Sequence, residues 1–172
     1  PGSGKTTLGL HFLSSDPDSQ QKALFISLIE PEEKIKYDAQ TRGFNLEGIE
    51  FLDLSPSSEL ITEEQGYDIF LSGEVEQEPL IKAMITKIEE LQPKLIFLDS
   101  LTQLRHLSAD TFQFRQQVLS FIKFAIKEGA TVLVSSEASS NLTDDDLQFI
   151  SDGVINLNLN EGERHIKISK FR

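Results

Sequence analysis

The sequence has 172 residues, no cysteine, three scattered histidines and a formal net charge of −12. The length suits one domain with a sizeable core, and we expect residues 1–172 to form that domain. Without cysteine, disulfides, thiolate metal sites and cysteine catalysis are excluded, and the scattered histidines argue against zinc. The acidity argues against a surface built to neutralise the phosphates of nucleic acid.

No apolar run approaches the roughly 20 residues that a membrane-spanning helix needs. We also expect no signal peptide. We therefore expect a cytoplasmic protein that does not contact a membrane. Because the sequence begins without Met and inside a motif, we also expect it to be a fragment.

Short apolar runs alternate with amphipathic segments along most of the chain. In chain order they predict a helix at 7–13, a strand at 23–29, a helix at 32–42, strands at 49–54 and 94–98 with a helix at 80–91 between them, a helix at 111–128, and a strand at 130–134. The acidic segment 56–79 is predicted to be a surface excursion. Buried strands separated by helices predict an α/β fold with a mostly parallel sheet covered on both faces.

The last part of the chain has a different pattern. Residues 154–159 and 165–171 alternate between apolar and polar side chains, and Asn160-Glu161-Gly162-Glu163 lies between them. This pattern predicts an antiparallel hairpin at the edge of the sheet.

The first seven residues carry the strongest motif. Its residues, to which we assign nucleotide binding, are Pro1, Gly2, Ser3, Gly4, Lys5, Thr6 and Thr7. They fit a phosphate-binding loop of the form G-x-x-x-x-G-K-[ST], of which the first glycine would lie two residues before Pro1. The glycines allow the backbone N–H groups to face phosphate oxygens, Lys5 supplies charge to the β- and γ-phosphates, and Thr6 offers a hydroxyl to Mg²⁺.

A second motif is the apolar run Lys94-Leu95-Ile96-Phe97-Leu98, which ends in Asp99. In this fold class an aspartate at the end of such a strand lies beside the phosphate loop and holds the hydrated Mg²⁺. Thr6 and Asp99 are therefore the predicted metal-binding residues, with ATP and Mg²⁺ as the ligands.

The sequence as a whole resembles the KaiC-type domain of the RecA-like P-loop ATPase superfamily. The similar segments are PGSGKTTLGLHFL, ALFISLIEPEEKI, TRGFNL, LIFLDSLTQL, GATVLVSSE, FISDGVINL and EGERHIKISKFR. The combination of SDGVI with a basic K-x-R strand is much more specific to KaiC-like proteins than the phosphate loop is.

The resemblance implies further site residues. KaiC-type domains place two adjacent glutamates at the end of the strand that follows the phosphate-loop helix, and one of these glutamates polarises the attacking water. Here Ile29 occupies the first of the two positions and Glu30 the second. Glu30 is therefore the candidate base, and slow or impaired hydrolysis would follow from Ile29. Ser136 is the candidate sensor of the γ-phosphate or the attacking water.

The resemblance also implies residues that act between subunits. Lys170 and Arg172 alternate with Phe171, so both are expected on one face of the last strand. In KaiC-like rings the matching residues reach the neighbour's ATP in the manner of an arginine finger. We expect a homo-oligomer, with a hexameric ring favoured, and a regulatory protein partner whose identity the sequence does not give.

Three functions remain open at this stage. The first is a regulatory ATPase that acts as a ring or filament. The second is a RecA- or RadA-like DNA repair ATPase. The candidate DNA-binding loop at 139–148 argues against this function, because it contains Asp144, Asp145 and Asp146 and no Lys or Arg to neutralise phosphates. The third is a nucleotide-dependent interaction module without catalysis, which Ile29 supports.

Overall fold

The computed structural model describes residues 2–15, 21–58, 77–108, 110–137, 147–148 and 151–172. The described helices are α1 (Lys5–Leu13), α2 (Glu32–Thr41), α3 (Gln77–Leu91), α4 (Leu101–Leu107) and α5 (Thr111–Lys127). The strands are β1 (Ala23–Ser27), β2 (Ile49–Asp53), β3 (Leu95–Asp99), β4 (Thr131–Val134), β5 (Gly153–Asn160) and β6 (Glu163–Phe171).

The predicted α/β fold class is confirmed. Strands β1 to β4 form one parallel sheet in the order β2-β1-β3-β4. Strand β1 is central, and Phe25 on it is in register with Phe51 of β2 and with Phe97 of β3. Because parallel strands need long crossover connections, the helices between them cover the sheet.

Each face of the sheet has its own hydrophobic core. Leu24, Ile26 and Leu98 project to one face, where they join buried residues of α3, α4 and α5. Phe25 and Phe97 project to the opposite face, where they join buried residues of α1 and α2. The alternation of side chains along each strand thus explains why these strands are apolar throughout.

Close packing of α1 on β3 fixes the start of the chain against the sheet. Gly9 lies in the middle of α1, and a Cβ atom added there would overlap the buried ring of Phe97. Phe97 is itself held by Phe25, with ring centroids 5.0 Å apart in an edge-to-face arrangement. Gly9 is therefore required by the short distance between helix and strand.

Several element boundaries differ from the prediction. Strand β1 ends at Ser27, so Ile29 and Glu30 lie in the turn that follows it. Helix α3 begins at Gln77, which makes the predicted excursion wrong at its last residues; 59–76 of that segment lie outside the described residues. Helix α4 was not predicted, because a helix of seven residues, about two turns, leaves too short a periodic pattern.

The C-terminal hairpin forms as predicted, but its relation to the main sheet differs. Strands β5 and β6 pair with each other around a turn at Glu161 and Gly162. Within the described residues they form a separate two-stranded sheet and do not extend the edge of the four-stranded one.

We predict that Gly9→Ala destabilises the protein. Alanine normally favours a helix by up to about 1 kcal/mol over glycine, but overpacking a buried contact costs roughly 1–3 kcal/mol. We expect a net loss of about 1–2 kcal/mol in urea unfolding. The exposed helix position Gln40→Ala is the control. Adding Phe97→Leu should remove the penalty of Gly9→Ala, and a Gly9→Ala variant that is more stable than the wild type would contradict this packing.

Candidate functional site

Polar residues occupy the carboxyl end of every strand of the parallel sheet. Asp53 ends β2, Ser27 ends β1, Asp99 ends β3, and Ser135 directly follows β4. Since parallel strands all end at the same edge, these side chains share one end of the sheet, which is where ligands bind in open α/β folds.

The loop before α1 reaches this same edge. Gly2 and Gly4 have φ angles of 79° and 101°, in a region that side-chain-bearing residues rarely adopt. Helix α1 begins immediately afterwards at Lys5, so its unpaired N–H groups and the positive end of its dipole lie at the loop. This is the backbone arrangement that binds phosphate at a helix N-terminus.

Two of the three other predicted loop residues lie in the described part of the chain. Ser3 is half-buried in the loop. Thr7 lies in α1, where its hydroxyl accepts a long hydrogen bond from Arg42 Nη1 at 3.5 Å. Pro1 lies outside the described residues.

Asp99 is the point at which three elements meet. Thr6 Oγ1, in the first turn of α1, donates to Asp99 Oδ2 at 2.7 Å. Ser135 Oγ, just beyond β4, donates to Asp99 Oδ1 at 2.5 Å. The two predicted metal-binding residues are thus in direct contact, although 93 positions separate them in the chain.

The oxygen atoms around Asp99 are suited to Mg²⁺. Hydroxyl and carboxylate oxygens are hard ligands, which Mg²⁺ prefers over nitrogen and sulfur. In the described part of the chain no group of three His, Cys, Asp or Glu side chains could hold a metal alone. A site of this kind fits Mg²⁺, because Mg²⁺ usually binds one or two protein ligands together with waters and substrate phosphates.

Lys5 makes an ion pair with a residue to which the sequence assigned no role. Its Nζ lies 3.2 Å from Glu137 Oε1, with side-chain exposures of 22% and 47% respectively. The backbone N–H of Glu137 donates to Thr102 Oγ1 at 2.9 Å. Lys5 and Glu137 therefore link the phosphate loop to the segment that follows β4.

Glu30, the candidate base, lies just beyond the carboxyl end of β1, and its carboxylate is paired with Lys34. The turn is tied to the end of β1, where Ser27 Oγ donates to the Glu30 carbonyl at 2.6 Å. Glu30 Oε1 lies 2.6 Å from Lys34 Nζ one helical turn away. This hydrogen bond and the negative charge of Glu30 raise the pKa of Lys34. The adjacent Ile29 is 51% exposed.

Ser135, to which the sequence assigned no role, contacts Asp99, and the predicted sensor Ser136 is the next residue. Ser135 is buried, with 6% of its surface exposed, because its position directly after β4 directs it to the neighbouring strand end. Ser136 is half-buried in the same segment. The contact of Ser135 with Asp99 depends on the residue at which β4 ends, and the apolar pattern of the sequence does not define that end to a single residue.

Lys170 and Arg172 lie at the end of β6 and beyond it. Lys170 Nζ donates to the carbonyl of Gln148 at 2.9 Å, and Arg172 is exposed just after the strand. The hairpin contacts the phosphate loop through a different residue, since Arg164 Nε donates to the carbonyl of Gly2 at 3.1 Å.

The loop turns at two glycines and leads into a helix that begins at Lys5, and Thr6 in the first turn of that helix contacts the aspartate at the end of β3. These features define a nucleotide-binding P-loop protein. The family model described as ATPase: KaiC matches residues 1–172, and the chain belongs to this family. No curated protein matches the chain. Among the described helices, none is both long enough and apolar enough to cross a membrane.

We predict that Asp99→Asn selectively removes the contribution of Mg²⁺ to ATP binding. The substitution keeps the shape of the side chain but removes its charge, and we expect the Mg²⁺-dependent gain in affinity to fall by roughly 10- to 100-fold. Calorimetric titrations with Mg²⁺ and with EDTA measure this gain.

Asp53→Asn is the matched control for this titration. Asp53 also ends a strand, but its carboxylate accepts from the backbone N–H groups of Glu32 and Ser55, both at 2.8 Å. We expect this variant to keep the full Mg²⁺ dependence. An Asp99→Asn variant with wild-type Mg²⁺ dependence would contradict the assignment.

Proposed function

We propose that this protein binds ATP with Mg²⁺, hydrolyses the bond between the β- and γ-phosphates, and works as a homo-oligomer with the nucleotide at subunit interfaces. The observation that carries the proposal is the contact of Thr6 with Asp99 beside Lys5 and the phosphate loop. These are the groups that an ATP·Mg²⁺ complex requires, and the sheet brings them to one edge.

Each of these residues has a distinct task in the proposed reaction. The loop amides and Lys5 bind the β- and γ-phosphates, while Thr6 and Asp99 hold the metal. Mg²⁺ held by these residues would neutralise the charge that develops on the transferred phosphoryl group. Ser135 fixes the second oxygen of Asp99, so the carboxylate keeps one orientation. Ser136, half-buried one position later, remains the candidate sensor of the γ-phosphate.

Glu30 is our candidate for the base that orients the attacking water. Its turn begins next to Asp99, because the N–H of Leu28 donates to the carbonyl of Asp99 at 2.8 Å. Its carboxylate is paired with Lys34, so catalysis requires Glu30 to leave that partner. An exposed pair of this kind is weak because solvent screens it, so breaking it adds little to the barrier of hydrolysis. With Ile29 as its neighbour, a slow rate is expected.

The position of Arg172 supports catalysis shared between subunits. It is exposed at the end of the hairpin, and Lys170 lies beside it. We propose that both residues reach the ATP of an adjacent subunit in a hexameric ring. Head-to-tail contacts of this type close into rings or extend as filaments. The output would be a conformational change passed to a regulatory protein partner.

We predict that Glu30→Gln lowers the turnover of ATP and leaves its affinity unchanged. Loss of a general base typically costs roughly 10²- to 10⁴-fold in rate. Phosphate release measures turnover, and calorimetry measures binding. Glu33→Gln, an exposed change of the same kind on α2, should behave like the wild type. Wild-type turnover by Glu30→Gln would remove Glu30 from the mechanism. A wild-type protein that binds ATP·Mg²⁺ without any turnover would favour a non-enzymatic interaction module.

We also predict complementation between two inactive variants. Lys5→Ala removes the cation of the phosphate loop and Arg172→Ala removes the proposed finger, so each should abolish turnover alone. A mixed oligomer contains interfaces that pair an intact loop with an intact finger, and some turnover should return. Loss of an arginine finger costs about three orders of magnitude or more in rate, so partial recovery is measurable.

The control is Lys167→Ala on β6 itself, because a cation outside the hairpin would not test the position of the finger. Lys167 is an exposed cation of the same strand, three positions before Lys170. It should retain turnover. Wild-type turnover by assembled Arg172→Ala, or inactive mixtures in which mixed oligomers are demonstrated by mass spectrometry, would contradict shared catalysis.

A further inference from the structure

The side chain of Lys5 is engaged by an acidic residue at the point where phosphate is expected. Glu137 Oε1 lies 3.2 Å from Lys5 Nζ, and 132 positions separate the two residues in the chain. The pair is not fully solvated, since only 22% of the Lys5 side chain is exposed. In the part of the chain that the structure describes, it joins the phosphate loop to the segment after β4.

The backbone holds Glu137 in this position. The N–H of Glu137 donates to Thr102 Oγ1 at 2.9 Å, on the helix that follows Asp99. Two positions earlier, Ser135 receives a hydrogen bond at its carbonyl from the N–H of Leu101 at 2.9 Å and donates its hydroxyl to Asp99. The segment 135–137 is therefore fastened at both ends, and Glu137 is directed to Lys5 by the same framework that orients Asp99.

We propose that Glu137 is a positioning residue that holds the ammonium of Lys5 before ATP binds and is then displaced by phosphate. This inference rests on the proposed ATP binding. Nucleotide binding brings negative charge to Lys5, and a carboxylate at 3.2 Å both competes for that cation and repels the incoming phosphates. Glu137 therefore sets the nucleotide affinity of the loop through Lys5.

The exchange also links occupancy of the site to the segment after β4. When phosphate takes Lys5, the Glu137 carboxylate loses its cationic partner while its backbone remains bound to Thr102. The end of β4 thus has one arrangement of charges with nucleotide and another without it.

The test is the affinity for ATP·Mg²⁺ of the wild type and of Glu137→Gln, measured by competition with a fluorescent ATP analogue. Glutamine keeps the shape of the side chain and removes its charge. We expect binding to become roughly three- to tenfold tighter, as for loss of a partly exposed competing charge. The gain should shrink in high salt, because salt screens exposed charges.

A double-mutant cycle separates an effect through Lys5 from direct repulsion of phosphate. In a Lys5→Ala background, Glu137→Gln should give at most about half of the logarithmic gain seen in the wild type, since the competition for Lys5 is gone. Glu137→Asp keeps the charge and should stay near wild-type affinity.

Glu50→Gln is the matched control. Glu50 is also a partly exposed glutamate in an ion pair, with Lys87 at 3.7 Å, but it lies on the outer strand β2. It should leave affinity unchanged. Unchanged or weaker binding by folded Glu137→Gln, or an equal gain in the Lys5→Ala background, would overturn the inference. Absence of ATP binding by the wild type would instead overturn the proposed function on which the inference depends.

Discussion

The carboxylate of Asp99 joins the parts of the site to one another. One of its oxygens accepts a hydrogen bond from the hydroxyl of Thr6, and the other accepts one from the hydroxyl of Ser135. A single side chain therefore connects the helix of the phosphate loop with the ends of two strands. Hydrogen bonds to a charged carboxylate are stronger than those between neutral groups. This carboxylate therefore fixes the helix of the phosphate loop and the segment after β4 relative to each other.

The scaffold explains how such a contact can form over a long stretch of chain. Parallel pairing of β1 with β3 brings Ser27 and Asp99 into register, and α1 lies close to β3 because Gly9 has no side chain to separate it from Phe97. Buried apolar residues on both faces hold the sheet rigid, while the strand ends remain polar. Precision at the site therefore comes from packing behind it.

The sequence predicted the fold class and the phosphate loop well, because both depend on local patterns such as apolar runs and G-x-G-K-T spacing. The position of Asp99 was predictable for the same reason, because it is the charged residue that ends a buried strand. Partners set by tertiary distance were not predictable. The contact of Ser135 with Asp99 depends on the residue at which β4 ends, and the pairing of Lys5 with Glu137 joins residues 132 positions apart. The alternating pattern of the hairpin predicted two paired strands, but it could not predict whether those strands also join the main sheet.

The central claim is that Thr6 and Asp99 hold the metal of a bound nucleotide beside Lys5. A crystal structure with Mg²⁺ and a non-hydrolysable ATP analogue tests this most directly. The account predicts phosphates against the loop amides and Lys5 Nζ, with the metal bound to Thr6 Oγ1 and Asp99 next to its hydration shell. A nucleotide bound elsewhere, or a metal held without either Thr6 or Asp99, would contradict it.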